Sequence, residues 1–185
     1  MNRNFFIEVN SQQRNYDGER ISGDVFLYRY IKEEDRVIAV LSDGMGHGVK
    51  ANILATLTAT MSMNFTREHK EVDRIAEIIM NTLPVCSERK ISYSTFTIID
   101  IESSGKVTIL EYDNPSCVIL RGNQIFDPSW KKVVLEKGEK YTEIFSFKKM
   151  KLDSNSSFKL SSITCYTTIA WPIKNITPFF NRIFY

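Results

Sequence analysis

Val37-Ile38-Ala39-Val40-Leu41-Ser42-Asp43-Gly44-Met45-Gly46-His47-Gly48 is the stretch on which the reading of this chain turns. An apolar run reads as a buried strand, a carboxylate stands at its end, and three alternate glycines follow before helical spacing begins. Functional groups concentrate where a rigid strand opens into irregular backbone. Glycines let that backbone adopt positive φ and approach a ligand closely. A phosphate-binding P-loop would need GxxxxGK[ST], but the register from Gly44 offers Gly48-Val49-Lys50-Ala51 instead. A dinucleotide fingerprint would need its third glycine one residue later than Gly48. Asp43 would also face the pyrophosphate with a like charge. The remaining chemistry is a hard-metal site, because Mg²⁺ and Mn²⁺ take carboxylate, carbonyl and water oxygens. Asp43 supplies the first and the Gly44 carbonyl the second.

Working upstream, Val25 to Ile31 and Val37 to Leu41 are two β-rich runs joined by Lys32-Glu33-Glu34-Asp35, the pattern of an antiparallel hairpin. That pairing brings Asp24, in Ser22-Gly23-Asp24, beside Asp43 at one sheet edge. Further upstream, Phe5 to Val9 reads as a strand. Downstream, the spacing predicts a helix over about Val49 to Phe65, with Ile53, Leu54, Leu57, Met61 and Phe65 on its buried face. A second helix runs from about Val72 to Val85, where Val72, Ile75, Ala76, Ile79, Met80 and Leu83 repeat at helical intervals. Strands are expected at Tyr93–Ile101, Lys106–Tyr112, Ser116–Leu120, Gln124–Phe126, Val133–Leu135 and Thr142–Phe147. Short turns between strands, with two consecutive helices inserted, imply antiparallel sheets with helices packed outside. The fold class is therefore α+β.

Composition narrows the function classes. The 185 residues are 43% hydrophobic and 25% charged, which is ordinary for a globular domain. Twenty-four Lys and Arg against 22 Asp and Glu leave a formal charge of +2, too balanced for a nucleic-acid footprint. The uncharged run from Leu160 to Ile173 is shorter than a membrane span and rich in Ser and Thr. Glu8 and Asn10 interrupt any secretory apolar region near the N-terminus. Cys86, Cys117 and Cys165 are widely spaced and lack CxxC pairing, as expected of reduced thiols in a cytoplasmic protein.

The string Ser42-Asp43-Gly44-Met45-Gly46-His47-Gly48, preceded by Ser22-Gly23-Asp24, resembles the paired signature of SpoIIE-type PPM serine/threonine protein phosphatases, relatives of the type-2C enzymes. Glu111-Tyr112-Asp113-Asn114-Pro115 followed by Val118-Ile119-Leu120-Arg121 is similar to that family's "GNPP…LLR" strand-turn-strand. The resemblance covers about residues 5 to 150. It implies an αββα sandwich, two antiparallel sheets flanked by helices. It also implies two Mn²⁺ or Mg²⁺ ions bridged by a water that attacks phosphoserine or phosphothreonine on a protein. Carried onto this chain, Asp24 would ligate one ion, Asp43 would bridge both, and Gly44 would give its carbonyl. The helices from Val49 and Val72 resemble the pair that, in some relatives, moves to complete the metal site. His47 could contact the substrate phosphate, with a loop-filling or helix-start role as its plainer reading. Lys50 could attract that phosphate, with a solvated helix-start lysine as its plainer reading. The family alone suggests anti-sigma-antagonist phosphoproteins as substrates. No nucleic-acid or membrane partner is expected, and oligomeric state is left open.

The chain departs from the pattern after residue 150. The family's second Ser-Asp-Gly and its terminal Asp-Asn are missing, and Asp153 is the only acid among the final 35 residues. Nine of those residues are Ser or Thr. Residues 151–185 therefore read as an irregular tail on a phosphatase segment spanning 1–150. Two origins stay open: a frame slip or premature end, and a natural short variant. Either implies exposed sheet edges and a weakened ion site. A non-catalytic phosphoprotein-binding module is then the alternative function.

Overall fold

The computed structural model describes residues 7–15, 17–84, 94–121, 124–127, 129–137, 141–151, 156–161 and 165–170. In chain order these form β1 (Glu8–Gln13), β2 (Asp24–Ile31), β3 (Arg36–Gly44), α1 (Gly48–Arg67), α2 (Val72–Thr82), β4 (Ser94–Ile101) and β5 (Lys106–Tyr112). Then follow β6 (Val118–Arg121), β7 (Gln124–Ile125), β8 (Lys131–Lys137), β9 (Tyr141–Lys151), β10 (Ser156–Ser161) and β11 (Cys165–Ala170). The strands make a five-stranded sheet ordered β1-β11-β10-β6-β7 and a six-stranded sheet ordered β2-β3-β4-β5-β9-β8. Their pairings are antiparallel, as the short turns predict.

Strand β3 shows how the layers are set. Its side chains alternate between faces, and both faces are apolar because both are covered. Val37, Ala39 and Leu41 join Ile99, Ile109, Ile119, Phe158 and Ile169 in the core between the sheets. Ile38 and Val40 join Ala59, Met63, Ile75, Ile79 and Met80 in the core beneath the helices. A strand buried on both sides reads as a continuous apolar run rather than an alternating one, which is what Val37 to Leu41 displays. Among the described residues, α1 and α2 both lie against the six-stranded sheet, and no helix is long and apolar enough to cross a membrane.

Three sequence expectations need correction. Among the described residues the first strand is Glu8–Gln13, running past the expected end at Val9, and Phe5 and Phe6 lie outside the described residues. It sits at the edge of its sheet and is mostly exposed, so it lacks the apolar signal that favoured the earlier run. Helix α1 forms as predicted, but Ile53 and Leu57 are 59% and 44% exposed. Its buried face is Ala51, Ala55, Thr58, Ala59, Ser62, Met63 and Thr66. The reason is close approach: a Cβ on Gly44 would lie 2.0 Å from the Ala51 carbonyl oxygen, so only small side chains fit between α1 and β3.

The third correction concerns the tail. Residues 156–161 and 165–170 are strands, not irregular chain, and they fill the five-stranded sheet between β1 and β6. Phe158 and Leu160 point inward around Lys159. Cys165, Thr167 and Ile169 do the same on β11. The two-residue period was present, but carried partly by Ser, Thr and Cys, whose weak hydrophobicity hid it. Cys117 and Cys165 are buried and form no disulfide, and Cys86 lies outside the described residues.

Candidate functional site

The β2–β3 hairpin closes with Asp24 directly opposite Asp43. Residues paired this way across antiparallel strands share a face, with their Cβ atoms roughly 5 Å apart. Two residues further along, Phe26 and Leu41 pack into the core between the sheets, so the two aspartates continue that inner face to the rim of the sandwich. Asp24 is 3% exposed, while Asp43 is partly open. The Asp24 amide donates to the Ser22 hydroxyl oxygen at 3.1 Å, and the Gln13 side-chain amide donates to the Asp24 carbonyl at 2.6 Å. On the neighbouring strand, Ser94 donates to the Asp43 carbonyl at 3.1 Å and shares a 2.8 Å hydrogen bond with Ser42.

The glycine loop turns directly from this pair into α1. The Gly44 amide donates to the Gly23 carbonyl at 3.1 Å, extending the hairpin by one rung. Gly44 has no room for a side chain against Ala51, so α1 rests its first turns on the end of β3. Gly48 has φ +70°, and an added Cβ would meet the Glu19 carboxylate at 2.7 Å. Glu19 in turn accepts from or pairs with His47 Nδ1 at 2.6 Å. Asn52 on α1 donates to the Ser22 carbonyl at 2.9 Å, tying the helix to the Ser22-Gly23-Asp24 turn. The N-terminus of α1 has neither a side-chain cap nor an acidic residue in its first turn. The Glu19 carboxylate, brought against Gly48 from outside the helix, is the negative charge beside its positive dipole end.

Of the five residues singled out from sequence, Asp24, Asp43 and Gly44 come together. His47 is exposed and engaged by Glu19, and Lys50 is exposed on the first turn of α1. Glu19, Gln13, Asn52 and Cys165 were not legible as neighbours of the site. Cys165, on β11 opposite Gln13, is fully buried. Burial pushes its thiol up, and the Asp24 charge adds to the effect. Nothing in the sequence around Gln13 or Cys165 signals the hairpin, because the sheets meet there only through tertiary packing.

Chemically, two carboxylates facing each other repel, and a cation between them would relieve that repulsion. Carboxylates backed by glycine-loop carbonyls suit a hard ion of the Mg²⁺ or Mn²⁺ type. Among the described residues no cluster of three or more His, Cys, Asp or Glu surrounds the pair. Two carboxylates and the loop carbonyls are the kind of donors that a hard cation takes.

The comparison with protein families settles the lineage. The family model for stage II sporulation protein E matches residues 33–142, more than half of the chain, including β3, the glycine loop and both helices. The chain belongs to the SpoIIE family. Solved structures bear out the same fold at low identity. RsbX in complex with magnesium superposes with a TM-score of 0.68 at 15% identity, covering 93% of this chain and 98% of that one. The phosphatase domain of the cell-fate determinant SpoIIE from Bacillus subtilis, in a crystal form without domain swapping, gives 0.67 at 12% identity over the full length of both. A longer piece of the same Bacillus subtilis protein, its PP2C phosphatase domain with a fragment of the regulatory domain, gives 0.66 at 18%, over 85% of this chain and 46% of that one. No curated protein sequence matches the chain. By family and fold this is a PPM-type phosphatase domain, two antiparallel sheets with helices outside, as the SpoIIE signature implied.

Proposed function

We propose that the chain hydrolyses phosphoserine or phosphothreonine on a regulatory protein, with Asp24, Asp43 and the Gly44 carbonyl holding Mn²⁺ or Mg²⁺. The observation that carries this reading is the direct pairing of Asp24 with Asp43 beneath the glycine loop. When bound, a hard cation would lower the pKa of a coordinated water and offset charge developing on phosphoryl oxygens. The chain's own residues do the rest. Ser22 and Ser94 hold the backbone on which the two aspartates sit, so their carboxylates stay aligned. Gly44 admits α1 close to the site, bringing the helix's amide donors to where a phosphate would lie. His47, positioned by Glu19, and Lys50 stand on the approach and would favour an anionic substrate.

A second reading keeps phosphoprotein binding without turnover. It is favoured by the absence, among the described residues, of a third acidic or imidazole ligand beside the aspartates. One set of assays separates the two. The purified chain with Mn²⁺ is expected to release phosphate from a phosphoserine protein substrate. Asp43→Asn is expected to lower that rate by at least about 100-fold, the range typical of losing a preorganised catalytic group. Phosphopeptide binding with no phosphate release from the wild-type chain would replace the hydrolase reading by the binding one.

A further inference from the structure

Asp24 and Asp43 do not end the row in which they stand. The register that sets Asp24 opposite Asp43 continues across β3 and sets Asp43 opposite Thr95 on β4. Directly opposed residues share a face, with Cβ atoms roughly 5 Å apart. Along β4, Ile99 and Ile101 follow Thr95 at even intervals and lie in the core between the sheets. Thr95 therefore stands on the same inner face as the two aspartates. Three oxygen-bearing side chains run side by side along the rim, one each from β2, β3 and β4.

What Thr95 can do there depends on its proton. A hydroxyl has one proton to donate and two lone pairs with which to accept. Thr95 Oγ1 donates to the side-chain carbonyl Oδ1 of Asn114 at 2.5 Å. The other end of that amide is held as well, because Asn114 Nδ2 donates to Thr97 Oγ1 at 3.2 Å and Thr97 is 1% exposed. Asn114 reaches this position from the turn after β5, where Asp113 has φ +50°. An amide oxygen can only accept, so Thr95 has no proton left for Asp43, and any further bond at its Oγ1 is one that it accepts. A hydroxyl free to turn would instead donate to the neighbouring carboxylate, a charge-assisted bond that competes with a cation for the same lone pairs.

We infer that Thr95 serves the Asp24–Asp43 cation site as a neutral acceptor for water held by the ion, and that Asn114 is the positioning residue that keeps its hydroxyl in that sense. The inference rests on the reading of those two aspartates as cation ligands. Mg²⁺ and ions like it keep several waters when bound, and those waters need acceptors. Side chains standing behind a metal's direct ligands govern its affinity by about 10–100-fold.

The test is titration of the whole chain with Mn²⁺, followed by electron paramagnetic resonance of the free ion, which reads binding without substrate turnover. The wild type is expected to bind Mn²⁺ and Asp43→Asn to lose it. No binding by the wild type, or equal binding by Asp43→Asn, would remove the cation reading and this inference with it. Thr95→Val and Asn114→Ala are each expected to weaken binding about tenfold or more, whereas Thr95→Ser, which keeps the hydroxyl, holds wild-type affinity. Because both losses run through one hydroxyl, Thr95→Val combined with Asn114→Ala is expected to bind no more weakly than Thr95→Val alone. Melting temperatures of the metal-free variants are expected to match the wild type; if either single variant unfolds, the other is decisive together with Thr95→Ser. Unchanged affinity in the Thr95→Val and Asn114→Ala variants, with Asp43→Asn still unable to bind, would overturn the inference and leave the aspartates as ligands. Additive losses in the double variant would overturn it too, since Asn114 would then act apart from Thr95.

Discussion

Glu111 carries a carboxylate that is 4% exposed on the inner face of the six-stranded sheet. Burial raises its pKa to about 7, against the opposing pull of the Cys117 amide, which donates to Oε1 at 2.6 Å, and of Ser116. The folded chain therefore holds this proton more tightly than the unfolded chain, whose carboxyl titrates at its ordinary value of 4.5. Where the unfolded state binds fewer protons, stability falls as pH rises. The loss runs from about pH 4.5 to about pH 7 and then levels, on the order of 3 kcal/mol at 1.36 kcal/mol per unit. Glu111→Gln keeps an oxygen to accept from Cys117 but cannot ionise. Urea denaturation is expected to show the variant gaining on the wild type between pH 5 and pH 8. Parallel stability curves across that window would remove Glu111 from the account. At this scale the sequence was partly legible. Asp24 and Asp43 could be paired from a short hairpin alone, whereas Glu111 gains its character only from the sheet that buries it.

Helix α1 shows how an element can be predicted correctly and oriented wrongly. Its helical span follows from residue spacing, but the packed face is made of small residues because β3 and α1 approach closely at Gly44. Ala55 is fully buried on that face, and Ile53 is 59% exposed on the other. Ala55→Leu is expected to cost about 1–3 kcal/mol through overpacking. Ile53→Lys is expected to stay within about 0.5 kcal/mol of the wild type. Chemical denaturation of the two variants measures both, and the reverse ranking would restore the face first read from the apolar spacing. Helix α2 behaves otherwise. Val72, Ile75, Ala76, Ile79 and Met80 are buried as their spacing implies, since a helix packed at ordinary distance needs large apolar side chains to fill the gap.

For the whole molecule, the two strands after residue 155 are integral to the sandwich. Phe158 is 1% exposed and packs with Ile119, Cys165 and Ile169 between the sheets. Phe158→Ala is expected to destabilise the protein by about 3–5 kcal/mol, the usual cost of a large core truncation. Thermal unfolding reads this directly, and a shift within error would mean that these strands contribute nothing to the cooperative fold. Their register also shapes the site, because β11 places Cys165 opposite Gln13, whose side chain bonds the Asp24 carbonyl.

The features legible in the residues alone are local. A β-hairpin of known link length brings two carboxylates together, a glycine string requires close backbone approach, and helical spacing marks two helices. Each follows from interactions between residues near in the chain, and together they suffice to signal the SpoIIE family. The remaining features depend on which surfaces meet in the folded chain. The small face of α1, the strands hidden in a Ser- and Thr-rich tail, the buried Glu111 and the bond from Thr95 to Asn114 all arise from contacts between distant segments. Their physical cause is burial, which a side chain acquires from its partners and does not carry in its own identity.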